Sequence, residues 1–101
     1  MSAANSHVVV EMKGSAVFGG WYPFEAYWDG TRVAESDYAT GLSFTIDCDP
    51  GIHQLECLPQ HAGGYVQRFE LTIPPGHSLI RTRYSLWWLR YCWSEPQIAA
   101  I

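Results

Sequence analysis

The sequence predicts an all-β protein: an antiparallel sandwich of seven or eight strands forming one domain over residues 1–101. Two observations carry this expectation. Apolar residues recur at every second position, the spacing that turns one face of a strand toward a core. Gly, Pro, Asp and Asn interrupt these runs about every ten residues, as the connections of a sandwich or barrel do. Helix signals are nearly absent, and the chain holds no fixed-period repeat and no low-complexity tract.

Taken in order, His7 to Lys13 reads as the first strand. Tyr22, Phe24, Ala26 and Trp28 then share one face, with Glu25 and Tyr27 on the other. Asp29-Gly30 supplies the positive φ angles of a type I′ turn. That turn sets Trp28 opposite Thr31, Tyr27 opposite Arg32 and Ala26 opposite Val33. Leu42, Phe44, Ile46 and Cys48 alternate up to Asp49-Pro50-Gly51, which is turn chemistry. A hairpin closed there places Cys48 opposite His53 and Phe44 opposite Cys57. In Tyr65 to Ile73, Tyr65, Gln67, Phe69, Leu71 and Ile73 face one way, and Val66, Arg68, Glu70 and Thr72 the other. The final run, Ser78 to Trp93, is long for a single strand, and a bend or bulge is expected near Ser85. Residues 1–6 and 94–101 are expected to be loosely held.

Hydrophobic residues make up 48% and charged residues 16%, enough apolar material for a core and too much for a disordered tail. The formal net charge is -4, which argues against nucleic acid as a partner. Four of the six basic residues, Arg68, Arg81, Arg83 and Arg90, fall late in the chain, a bias that reads as a solvated strand face. The beginning shows no basic, then apolar, export pattern, so the cytoplasm is the expected location. No run is long enough to span a membrane. Cys48, Cys57 and Cys92 are odd in number and lack a CxxC spacing, which favours free thiols.

The order PFEAYWDGTRV, GLSFTIDCDPGIHQLEC, FELTIPPGHSLI resembles the small β-sandwich modules of the PEGA and carboxypeptidase-regulatory (prealbumin-like) type. Asp29, Gly30, Pro50, Gly51 and His53 carry the resemblance, which covers residues 20 to 84. It implies a sandwich of immunoglobulin-like or prealbumin-like type. It also implies a non-catalytic role, since such modules serve as surface, adhesive or carbohydrate-associated domains. The aromatic-rich final run and the lack of an export signal depart from that pattern.

No sequence pattern marks catalysis. HExxH, HxH, GxSxG and phosphate-cradling glycine loops leading into a helix are all missing. Asp47, Asp49 and Glu56 could bring carboxylates together for glycoside chemistry. Cys48, His53 and His61 are the best ligand set for a metal-assisted enzyme, short of the three or four well-placed ligands that zinc takes. No cofactor and no metal are expected. The aromatic residues stand out: 15% of the chain, five of them Trp. LWWLRYCW is apolar on both faces, so it is either central in the sheet or docked on something else. The candidate binding residues are therefore Trp87, Trp88, Tyr91 and Trp93, with Tyr27 and Arg32 as an outward pair on the first hairpin. The leading expectation is a binding or assembly module engaging a protein partner or a second copy of itself, because Trp, Tyr and Arg anchor interfaces. The alternative is a carbohydrate platform built from exposed rings.

Overall fold

The computed structural model describes residues 5–15, 22–60, 66–87 and 90–101, with side chains placed for all of these except 86, 87, 90 and 91. The described residues form nine strands: β1 (Ser6–Lys13), β2 (Pro23–Trp28), β3 (Thr31–Asp37), β4 (Gly41–Cys48), β5 (Gly51–Pro59), β6 (Gln67–Ile73), β7 (Gly76–Trp87), β8 (Arg90–Trp93) and β9 (Gln97–Ala100). Two sheets result. One has the order β4-β1-β7-β8, with β9 also paired to β7; the other has the order β3-β2-β5-β6. No helix among the described residues is long and apolar enough to cross a membrane.

The period-two pattern does what it predicts. Val8, Val10 and Met12 of β1 and Ile80 of β7 face Phe24, Ala26 and Trp28 of β2, Leu55 and Cys57 of β5, and Phe69, Leu71 and Ile73 of β6. Residues between them point outward, so each strand reads buried, then open. Each fully buried Val, Leu, Ile or Phe stabilises the fold by roughly 1.5–3 kcal/mol before chain entropy is counted.

The first hairpin closes as expected for two pairs: Trp28 lies across from Thr31 and Tyr27 from Arg32. Asp29 and Gly30 take φ of 49° and 83°, the left-handed pair a type I′ turn needs. The third pair differs. Ala26 faces Ala34, because a bulge absorbs Val33 and lets it pack against the core. A bulge of this kind also twists an edge strand away from further pairing.

The second hairpin is not formed. β4 pairs with β1, from Ser6 opposite Cys48 to Lys13 opposite Gly41. β5 pairs with β2 and β6 in the other sheet. The Asp49-Pro50-Gly51 turn is therefore an arch that carries the chain across the sandwich. Hairpin and arch leave the same residues facing inward, so alternation alone does not separate them. Nor is the sandwich wholly antiparallel: β1 and β7 run parallel, Ser6 beside Gly76 through Lys13 beside Arg83. The long final run is two strands rather than one bent strand, with Tyr84 across from Trp93 and Trp87 across from Arg90. The tail expected to be loose adds β9, with Ile98 opposite Ile80.

Candidate functional site

β7 outruns its neighbour. Its pairing with β1 stops at Lys13 and Arg83, while its pairing with β8 covers Tyr84 to Trp87. Among the described residues, the stretch 84–87 and 90–93 is thus a two-stranded ribbon extending beyond the last β1 residue. Ribbons of two strands are marginal alone, so the base of this one is held by other means.

Trp93 provides the main anchor. It is 2% exposed, with its ring centroid 5.2 Å from Phe24, 5.2 Å from Tyr84 and 6.1 Å from Tyr38. Tyr38 stacks on both Phe24 and Tyr84, at 4.8 and 4.4 Å. These four rings join both sheets at the foot of the ribbon. Offset and tilted ring pairs at these separations are favourable beyond the area they bury. Trp93, expected on a binding face, therefore belongs to the core.

Gln67 adds a second anchor. The Trp93 N–H donates to Gln67 Oε1 at 2.8 Å, and Gln67 Nε2 donates to the Trp93 carbonyl at 3.1 Å. The side-chain amide thus stands where a further strand would pair, and it closes the outer edge of β8 at this residue. A third fastening follows: the Ser94 N–H donates to the Arg83 carbonyl at 2.8 Å, and Thr82 Oγ1 donates to the Ser94 carbonyl at 2.5 Å. The outward direction of the Trp93 backbone fixes the rest of the ladder. Backbone groups alternate sides along an antiparallel strand. Tyr91 and its partner Leu86 therefore aim their N–H and C=O groups away from the ribbon, toward two flanks on which no strand pairs among the described residues.

Of the other expected site residues, Trp88 lies outside the described residues, and Trp87 and Tyr91 enter through their backbone alone. Tyr27 and Arg32 sit on the outer face of the opposite sheet. Arg32 Nη1 donates to Glu25 Oε2 at 2.8 Å, and Tyr27 Oη reaches Glu25 Oε1 at 3.4 Å. Gln60 Nε2 donates to the same carboxylate at 2.8 Å. The pair is tied up within its own sheet and is not brought to the ribbon.

The proposed catalytic groupings are separated as well. Asp47 lies on the outer face of β4, against His7 Nδ1 at 2.6 Å. Glu56 lies on the outer face of the other sheet, paired with Arg68 at 2.8 Å. Among the described residues no three His, Cys, Asp or Glu side chains are grouped to hold a metal ion; His61 lies outside them. The Cys48 thiol is pushed up by burial, and the carboxylates of Asp29, Asp49 and Asp47 add to that shift. Burial alone lifts Cys57 to about 12. Both are poor nucleophiles at neutral pH, since the thiolate is the reactive form.

His53 and Asp29 meet at the end of the sandwich where the arch and the first turn lie side by side. His53 Nδ1 is 2.5 Å from Asp29 Oδ2, and Nε2 is 2.6 Å from the Asp49 carbonyl. Asp29 Oδ1 accepts from the Gln54 N–H at 2.8 Å. Both imidazole nitrogens face acceptors, an arrangement that the doubly protonated, positively charged ring satisfies in full. It stacks on Trp28 at 5.4 Å, a geometry that suits a cation over an indole.

The sequence alone does not single out Gln67 or Tyr38 as anchors of the ribbon. The signal for Gln67 was present: a polar side chain on the inward face of Gln67, Phe69, Leu71 and Ile73 needs a partner. Comparison of the chain with family models, with curated proteins and with solved structures yields no match in any of the three.

Proposed function

We propose that the protein is a non-catalytic binding and assembly module that takes a strand of another protein chain, its own copy included, along the β7–β8 ribbon. The supporting observation is the overhang of β7 past Lys13: among the described residues, no strand pairs with the flanks toward which the backbone groups of Leu86 and Tyr91 are aimed. Added strands gain affinity from main-chain bonds and specificity from side chains at alternate positions. The remaining edges of the opposite sheet are guarded in the usual ways. β3 is bulged and carries Arg32 and Glu35, and β6 presents Arg68 and Glu70. The ribbon carries one charge, Arg90, among Leu86, Trp87, Tyr91 and Trp93.

The immunoglobulin-like or prealbumin-like type, and the PEGA resemblance, belong to the same proposal and draw support from the Asp29-Gly30 turn. Three free cysteines suit a reducing compartment such as the cytoplasm. The carbohydrate reading loses Trp93 as a platform ring, because that ring is buried.

Size-exclusion chromatography with light scattering, run across concentration, tests the proposal. Proline is tolerated on an edge strand where its missing N–H would face outward. Tyr91→Pro is therefore expected to abolish association while leaving the strand content by circular dichroism unchanged. A monomer at every concentration removes the self-association form. If, in addition, a panel of strand-forming peptides shows no binding that Tyr91→Pro weakens, the ribbon is not a docking edge.

A further inference from the structure

Half of the six Lys and Arg residues of this acidic chain line one groove of about 740 Å³ across β1, β7 and the start of the tail. They are Lys13, Arg81 and Arg83, set beside Glu11, Ser94 and Glu95. Lys13 and Arg83 are direct neighbours in the parallel register, and Arg81 is the neighbour of Glu11. Arg81 Nε donates to Glu11 Oε2 at 3.2 Å. Among the described residues, no carboxylate forms an ion pair with Lys13 or Arg83. By contrast Arg32 and Arg68 are each paired with a glutamate on the far sheet, both at 2.8 Å.

Like charges directly opposite on adjacent strands are destabilising. Here the chain keeps two of them together although its net charge is -4. Three cations against two carboxylates leave the groove positive, with Glu11 already engaged. The residues at its floor are held firmly. Ser94 Oγ accepts from the Arg83 N–H at 3.0 Å and lies 3.2 Å from Thr82 Oγ1. That network fixes the backbone from which Arg83 extends.

The geometry points to a binding site for a doubly charged oxyanion, carried as a phosphate group or as a pair of carboxylates, between Lys13 and Arg83. The guanidinium offers a planar fork that matches either group, and the ammonium supplies a point charge on the other side. Ser94, just past β8, is bonded to the Arg83 backbone on the flank of β7 away from Lys13, and Glu95 of the same groove opposes the ligand. The site shares no residue with the free flanks of the ribbon.

Isothermal titration and two-dimensional NMR of the full chain test this, using inorganic phosphate and malonate at constant ionic strength. Saturable binding is expected for at least one, with the largest amide shifts at Lys13, Arg83 and Ser94. Phosphate without malonate identifies the phosphate source, and malonate without phosphate identifies the dicarboxylate. Arg83→Gln is expected to weaken binding about tenfold, the loss of one charged hydrogen-bonding partner, and Lys13→Gln to weaken it further. Glu95→Gln should tighten it. Both cations are outward-facing, so circular dichroism of the variants should match the parent. Shifts that grow linearly, that chloride reproduces, or that survive in the Lys13→Gln, Arg83→Gln double variant overturn the site. Tyr91→Pro leaves this binding intact, which separates its failure from that of the ribbon.

Discussion

His53 bridges the first turn and the arch: its Nδ1 lies 2.5 Å from Asp29 Oδ2 while its Nε2 holds the Asp49 carbonyl. Desolvation pulls the imidazole pKa down. The hydrogen bonds to Asp29 and Asp49, with their charges, outweigh it and raise the value above 6.5. Desolvation likewise opposes the shift of Asp29, which the bonds from His53 and Gln54 carry below 3.8. The two groups act on opposite sides of a pH window. The raised histidine contributes stability that is complete below 6.5 and fades as pH rises through its folded value. The lowered aspartate contributes stability present above 3.8 that fades as pH falls through its folded value. The difference in melting temperature between the parent and His53→Gln is thus expected to be largest between those two limits and to shrink in mild alkali. A difference that grows on the alkaline side would contradict the charged ring.

Trp93 joins both sheets through Phe24, Tyr38 and Tyr84. Trp93→Ala should cost about 3–5 kcal/mol in urea unfolding, the range for emptying a buried indole site. Among the described residues its buried Nε1 has no hydrogen-bond partner, so Trp93→Phe loses volume and none of the polar contacts seen there. It should cost clearly less. If the alanine variant unfolds within about 0.5 kcal/mol of the parent, a typical surface effect, the ring does not anchor the ribbon.

Gln67 substitutes for a neighbouring strand at Trp93. Gln67→Ala removes two hydrogen bonds and should lower stability by about 1–2 kcal/mol. It also uncovers an edge, so self-association by light scattering should rise. Gln67→Glu keeps the acceptor and loses the donor, and an intermediate loss of stability is expected. No change in either variant would show the amide contact to be incidental.

Gly41 opens β4 with φ of 70°, and a β-carbon there would run into the Met12 carbonyl oxygen and the Gly14 amide. Gly41→Ala combines a left-handed conformation with a backbone clash, and should cost about 2–4 kcal/mol. Gly30→Ala has open space around it and carries only the conformational part, so it should cost less. Equal losses at the two sites would mean that the end of β1 can move aside.

Much of the strand inventory was legible because period-two alternation reports burial directly. Phe69, Leu71 and Ile73 fall inward as read, and Asp29-Gly30 dictates its turn. Which strands become neighbours was less legible. Cys48 and His53 face inward whether Pro50-Gly51 closes a hairpin or carries the chain across. The choice depends on β1 supplying β4 with an eight-residue partner from far along the sequence. The Val33 bulge was hidden for a related reason, since its side chain is apolar in either register. At the site, the aromatic run was visible, but burial of Trp93 depends on Phe24, Tyr38 and Tyr84, drawn from three distant places in the chain. Asp29 read as turn chemistry alone, because its partner His53 is brought to it by the arch.

The parallel seating of β1 against β7 has a consequence for biosynthesis. Glu11 and Arg81, which touch across that seam, are 70 residues apart in the chain. β1 is made well before the strand that completes it. Until the ribosome has released the segment beyond Gly76, β1 can have β4 on one flank and, among the described residues, no strand on the other. Loop closure over such a span must precede the contacts that reward it. The nascent chain therefore carries Val8, Val10 and Met12 on a strand open at one side until β7 has been made, and β7 closes it.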